Sequence, residues 1–164
     1  MEIGIAISLY DKFEELDILL DIIRDNWKHN YYISVCSNHE DAASRVNHKK
    51  IDFFQEGDDI NYSPTMEDTR ENTNLNIRIL DTFKKSSKGL IENVDYGVHL
   101  HADAWPLSED SLLQIINRLN DEGSYIGVRG LDPTFRRPNW WLGNLMDQFF
   151  IFDTDRANDI GLFD

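Results

Sequence analysis

The stretch DYGVHLHADAWPLSED, residues 95–110, sets His99, His101 and Asp103 at every second position. In an extended strand alternate side chains share a face, so these three project together while Val98, Leu100 and Ala102 project the other way. Imidazole and carboxylate are both ligands for divalent transition metals. From 99 to 103 is about 13 Å at ~3.3 Å per residue, too far for one ion with ~2 Å bonds to hold all three. The metal-capable pair is therefore His101 and Asp103, just before the chain turns at Trp105-Pro106. His99 lies deeper, as a hydrogen-bonded core histidine or a support for its neighbours. The alternative is that the pair merely ends a strand with polar residues.

The elements that would position this pair alternate from the first residues. IGIAISLY (3–10) is a near-continuous apolar run, the pattern of a strand buried on both faces. Asp11 and Glu14 resemble a capping box ahead of a helix carrying Phe13, Leu16, Leu20, Ile23 and Trp27. YYISVCS (31–37) reads as a strand, HEDAASRV (39–46) as a short helix and IDFFQ (51–55) as a strand. From about Glu67 to Lys85, Leu75, Ile79, Leu80 and Phe83 mark the apolar face of an amphipathic helix. The metal-capable strand follows, then a helix through Leu112, Ile116 and Leu119, then strands at 125–130 and 148–153. Strand alternating with helix predicts an α/β sandwich with a mostly parallel sheet. Ligands of such sheets bind beyond the carboxyl ends of the strands, where His101 and Asp103 would sit.

Composition bounds the chemistry. The 164 residues fit one domain, and a hydrophobic fraction of 41% is ample for a core. A formal charge of −14 argues against nucleic acid as the partner, although a bound divalent cation would reverse the local field for a small anion. The single cysteine, Cys36, forms no internal disulfide and suits a reducing compartment. Residues 1–9 read as a strand rather than a signal peptide, and no apolar run reaches the ~20 residues that span a bilayer. The expectation is a cytoplasmic protein without a transmembrane segment.

Several metal-dependent families place histidine and aspartate on a strand. Cupin-type iron oxygenases need a third histidine downstream, but His29, His39, His48, His99 and His101 are the full set. Metallo-β-lactamase-like hydrolases match HLHADA until Ala104, where a histidine is required. Amidohydrolases need a barrel longer than this chain. A metal-dependent hydrolase therefore ranks below the next reading.

Three segments, in order, resemble a GT-A-type glycosyltransferase: IAISLYDKFEEL, YYISVCSNHEDA and TRENTNLNIRILDTFKKS followed by DYGVHLHADAWPLSED. The resemblance spans residues 1–110 and extends towards 153. It implies a Rossmann-like three-layer sandwich over 1–164, with 1–110 as the nucleotide-sugar-binding part and 111–164 as the acceptor side. It also implies a divalent cation on the Asp-x-Asp motif, here His-x-Asp with His101 in the first place. Imidazole beside carboxylate suits manganese better than magnesium.

By family position, Ser8 and Tyr10 lie near the base and Asn38 at the next strand end, while Arg70 and Asn74 reach nucleotide or donor sugar. The bland alternatives are that Tyr10 packs, Asn38 caps a helix and Arg70 is solvated. Asp103 would anchor the cation that stabilises the leaving diphosphate. Trp140 and Trp141 are candidates for an acceptor wall, with Arg136 and Arg137 nearby for phosphate, and Asp147, Asp153 and Asp132 for a catalytic base. The family's catalytic domains are commonly longer. Part of the acceptor side is thus expected outside these residues or from another subunit, as in a homo-oligomer.

The partners implied are a nucleotide-sugar donor and a carbohydrate or glycoconjugate acceptor. A non-catalytic nucleotide-sugar-binding or assembly module is the main alternative. A nucleotidyltransferase is disfavoured because no glycine-rich, lysine-bearing loop follows Ile7.

Overall fold

Ile3–Leu9 forms β1, seven residues buried throughout, and its alternation dictates the layers on either side. Ile3, Ile5, Ile7 and Leu9 belong to one core cluster, whereas Ala6 belongs to a second. In the computed structural model, residues 1–58, 69–106, 108–123, 126–128 and 149–164 are described, with 69–76 and 126–128 described by backbone alone. The further strands are β2 (Tyr32–Ser37), β3 (Phe53–Glu56), β4 (Tyr96–His101), β5 (Ile126–Val128) and β6 (Phe149–Asp153). Among the described residues they make a six-stranded sheet ordered β3-β2-β1-β4-β6-β5. β1 pairs in parallel with β2 and β4, and β2 with β3; β6 runs antiparallel to both β4 and β5. The sheet is thus mostly parallel, as the alternation of elements predicts.

The first layer is apolar. Helix α1 (Phe13–Asp21) contributes Phe13, Leu16, Leu19 and Leu20 to the cluster formed with Ile5, Ile7, Val35, Val98 and Leu100. Each such side chain, once fully buried, contributes about 1.5–3 kcal/mol. The expected capping box does not form. Lys12 precedes the helix without a side-chain cap, and Asp11 offers only its backbone carbonyl, to Phe13 N–H at 3.0 Å. The helix then widens into a π-helical turn at Ile22–Asn26. Trp27, expected within the helix, leaves it with extended backbone and packs on Tyr31 at 5.2 Å. After the short helix α2 (Ala42–Arg45) and the long helix α3 (Thr69–Lys88), α4 (Glu109–Asp121) completes this layer through Leu112, Ile116 and Leu119. Ser108 caps α4 by accepting from Ser111 N–H.

The second layer holds α3 and α5 (Thr154–Asp159), a helix absent from the sequence expectation. Here α3 is turned differently from its apolar pattern. Leu80 and Ile77 are 54% and 47% exposed, Ile79 and Phe83 are half-buried, and Arg78, Thr82, Ser86 and Ser87 are buried. The sheet explains the inversion, since the strand face carrying Ala6, Ser8, Ser34 and His99 is small and polar. Buried polar groups need partners. Thr82 and Ser86 donate to carbonyls one turn back, at Arg78 and Thr82, and Ser87 meets His99. Further along, Phe83, Phe150, Phe152 and Phe163 close the layer with ring centroids 4.9–5.8 Å apart.

Gly97 shows how closely that end is packed. A Cβ there would lie 2.2 Å from the ring of buried Phe152, its cross-strand partner. Gly97→Ala is expected to cost about 1–3 kcal/mol through overpacking, read as a lower unfolding midpoint. An unchanged midpoint would contradict this packing.

Glu109 ties α4 to the start of β2. Its side chain is 9% exposed and accepts from the backbone N–H groups of Lys28 and His29 and from the Tyr31 hydroxyl, at 2.9–3.1 Å, with the His29 ring 3.1 Å away. Burial alone would raise its pKa, but these donors outweigh burial and lower it from the usual 4.5 to about 2. Because the folded value lies below the unfolded one, the stabilisation is complete above about pH 4.5 and is lost as pH falls towards 2. Glu109→Gln should therefore lose on the order of 2–3 kcal/mol at pH 7, the gap to wild type closing between pH 4.5 and 2 in denaturant titrations.

Candidate active site

A cleft of about 400 Å³ opens where β1, β2 and β4 end and α3 crosses them. Its walls are Ser8 to Lys12 after β1, Asn38 after β2, Arg78, Ile79 and Thr82 on α3, and His101 to Asp103 at the end of β4. Register explains this convergence, because Ser8 lies opposite Cys36 on one side and His101 on the other. The ends are then stitched together. Ala102 N–H reaches Ser8 O at 3.2 Å, Ser37 Oγ donates to Tyr10 O at 2.9 Å, and Trp105 Nε1 donates to Ala102 O at 3.0 Å. The strand stops at His101, so Asp103 stands in the turn that Ala104 N–H closes on His101 O, rather than on the strand itself.

Five residues named from the sequence come together here: Ser8, Tyr10, Asn38, His101 and Asp103. Tyr10 is 44% exposed, and the Arg78 guanidinium lies 4.1 Å from its ring centroid, a cation–π pair that presents the ring at the cleft mouth. Asn38 does not cap α2. Its Nδ2 donates to Asp81 Oδ2 at 2.9 Å and to Asp58 O at 3.1 Å. Asp81 also accepts from Asp58 N–H at 2.7 Å and pairs with Lys85 at 3.0 Å, which anchors residues 57–58 to α3.

The other candidates are placed differently. Arg70 and Asn74 lie on the N-terminal half of α3, about two turns and one turn before Arg78. Asp153 lies opposite Tyr96 at the far end of β4, about 17 Å of strand from His101, where it caps α5 by accepting from Arg156 N–H. It is not brought to the cleft. Trp140, Trp141 and Asp147 fall outside the described residues, as do Asp132, Arg136 and Arg137.

Sequence reasoning missed Arg78, Lys12, Asp11 and Thr82 as cleft residues. A signal existed for Arg78, which sits three residues after Leu75 and four before Thr82, a cation 7% exposed on the buried stripe of its helix.

Beneath the cleft, His99 is fully buried. Its Nε2 lies 3.2 Å from Ser8 Oγ and its Nδ1 lies 3.3 Å from Ser87 Oγ. Burial first, then the neighbouring His101, pushes its pKa well below the usual histidine value, so the ring is neutral. Cys36 is inert for a similar reason, since burial and the nearby Asp81 charge push its thiol up to about 12.

For a cation, the cleft offers His101 and Asp103 at the end of β4, with Asp11 among the lining residues after β1. Among the described residues, no three of His, Cys, Asp or Glu gather as a closed metal cage. One imidazole and one carboxylate fit a cation whose remaining ligands come from a diphosphate and water. Arg78 and Lys12 add positive charge to the lining. The arrangement therefore suits a ligand with an aromatic end for Tyr10 and an anionic centre beside Arg78, with a cation between that centre and Asp103.

No protein-family model and no curated protein matches the chain. Solved structures do. A mannosyltransferase from Pyrobaculum calidifontis, in complex with GDP-Man and Mn2+, aligns at TM-score 0.58 and 14% identity, covering 98% of this chain and 46% of that one. S. aureus TarS in complex with UDP-GlcNAc aligns at 0.55 and 12%, covering 98% and 48%. Mouse xyloside xylosyltransferase 1 aligns at 0.55 and 10%, covering 99% and 71%. The fold is therefore GT-A-like, and the chain spans about half the length of the first two of these structures. Among the described residues, no helix is long and apolar enough to cross a membrane.

Asp81→Ala removes the acceptor shared by Asn38 and Asp58. It is expected to cost about 1–3 kcal/mol. The Asp58 amide should exchange with solvent faster while amides of β1 and β4 keep their protection. Unchanged exchange at Asp58 would contradict the anchoring role.

Proposed function

We propose that the cleft binds a nucleotide-sugar and that the chain is a glycosyltransferase. The observation that supports this most is the meeting of Ser8, Tyr10, Asn38, His101 and Asp103 at the carboxyl end of a GT-A-like sheet. In this reading Tyr10 and Asn38 hold the base, while Ser8, expected near the base, lies opposite His101 in register and is assigned with Arg78 to the diphosphate. Arg70 and Asn74, on the N-terminal half of α3, are assigned to the nucleotide or donor sugar. His101 and Asp103 would hold a divalent cation, manganese in preference to magnesium. When bound, that cation would supply positive charge to the diphosphate oxygens.

Transfer breaks the bond from the anomeric carbon to a diphosphate oxygen and forms one to an acceptor oxygen. The electron pair of the broken bond stays on the diphosphate, where Arg78 is placed to offset the growing charge. For transfer with inversion, the acceptor's proton needs a carboxylate base. With Asp153 committed to capping α5, Asp147 is the proposed base, and Trp140 and Trp141 the proposed acceptor wall. The protein's charge of −14 opposes the approach of a diphosphate, so positive charge at the cleft favours its entry.

One observation favours a second reading, a binding module without turnover: the motif carries His101 in the place of a carboxylate. Release of free sugar or transfer to an acceptor separates the two, since a binding module would hold the donor intact.

The test is a thermal-shift screen of UDP-, GDP-, CMP- and dTDP-sugars with and without manganese, on wild type and Asp103→Ala. A donor at ~100 times its dissociation constant adds about 2.7 kcal/mol, a shift of several degrees. One donor should stabilise wild type in manganese and fail to stabilise Asp103→Ala. If no nucleotide-sugar shifts the wild type, the cleft is not a donor site.

A further inference from the structure

The buried Ser87–His99–Ser8 chain leads from the interior of the second layer to the cleft floor. Ser87 and His99 are fully buried, and Ser8 is buried apart from its edge on the cleft. The Phe83 ring, 4.3 Å from the His99 ring, walls the imidazole from solvent. A neutral imidazole has one N–H donor and one bare nitrogen, so the chain has two possible directions.

If the proton sits on Nδ1, it is donated to Ser87 Oγ, and Ser8 donates to Nε2. The Ser87 hydroxyl hydrogen is then buried without an acceptor, because Ser87, unlike Thr82 and Ser86, makes no bond to a carbonyl of its own helix. If the proton sits on Nε2, Ser87 donates to Nδ1 and Nε2–H donates to Ser8 Oγ. The one donor left over is then the Ser8 hydroxyl, at the cleft. Leaving a buried donor unpaired is costly, so the second direction is preferred.

We propose that Ser87 and His99 are positioning residues that commit the Ser8 hydroxyl to donate into the cleft, to a phosphate oxygen of the ligand. The inference rests on the cleft being the diphosphate site. It adds a role for two residues that touch no ligand themselves. The relay is selective by sign, because a Ser8 fixed as a donor favours an anion over a ligand that presents its own N–H or O–H there. Aligned hydrogen bonds also reinforce one another in a low-dielectric interior.

The test uses the full chain labelled with 15N-histidine and inorganic diphosphate as the probe, with magnesium as the diamagnetic cation. Long-range 1H–15N spectra read the tautomer of His99 directly in wild type, so the result does not depend on any variant folding. The expected spectrum shows His99 protonated at Nε2 when diphosphate is bound. Ser87→Ala should weaken diphosphate binding about tenfold, the scale of one net hydrogen bond. Ser87→Thr, which restores the hydroxyl, should recover it.

Diphosphate that binds with His99 protonated at Nδ1 would overturn the relay and leave the donor-site reading standing. So would binding indifferent to Ser87→Ala. If neither diphosphate nor any nucleotide-sugar binds wild type, both fall together.

Discussion

β1 turns Ile3, Ile5, Ile7 and Leu9 to one layer and Gly4, Ala6 and Ser8 to the other, and the remaining elements arrange themselves around that difference. The apolar face collects α1 and α4 chiefly by hydrophobic burial, which has no direction, and Glu109 adds directed bonds from α4 to the start of β2. The small, polar face meets α3 in a rotation that joins Ser8, His99 and Ser87 by hydrogen bonds. That rotation sends Arg78 and Thr82 to the cleft and leaves Ile77 and Leu80 outside. The site is thus a consequence of how a polar interface must be satisfied, and not only of where the strands end.

The cleft also resolves a conflict of charge. A chain at −14 repels an anion, yet the cleft is lined by Arg78 and Lys12 and by two metal-capable side chains. Tyr10 shares its ring with Arg78, which orders the guanidinium at 7% exposure while the ring remains open to a ligand. The Asn38–Asp81–Asp58 bonds fix the far wall. A rigid wall, an open aromatic and a cation pair form a surface ordered before any ligand arrives, which lowers the ordering cost of binding.

Much of this was legible in the sequence for identifiable reasons. The apolar run at 3–10 and the strand–helix alternation gave the parallel part of the sheet, because period and order depend on local chemistry. His101 and Asp103 were legible from alternation along residues 99–103, whereas Ser8, Tyr10 and Asn38 were singled out by the resemblance to GT-A-type glycosyltransferases. The deep placement of His99 followed from alternation.

The rotation of α3 was not legible. Its sequence carries two overlapping stripes, one through Leu80 and one through Arg78 and Thr82, and only the polar sheet face decides between them. The antiparallel run of β6 was equally hidden, since apolar periodicity has no direction along the chain. Asp153 looked like a spare carboxylate because its use as a helix cap depends on α5, a turn too short to show its own pattern.

The most direct measurement of the central claim is a backbone 1H–15N map of the full chain as UDP and GDP are titrated in with magnesium. The account expects one nucleotide to move the amides of Ser8 to Lys12, Asn38, Arg78 to Thr82 and His101 to Asp103, with the far ends of β4 and β6 still. Perturbations centred elsewhere, or none with either nucleotide at millimolar concentration, would contradict the assignment of this cleft as a nucleotide-sugar site.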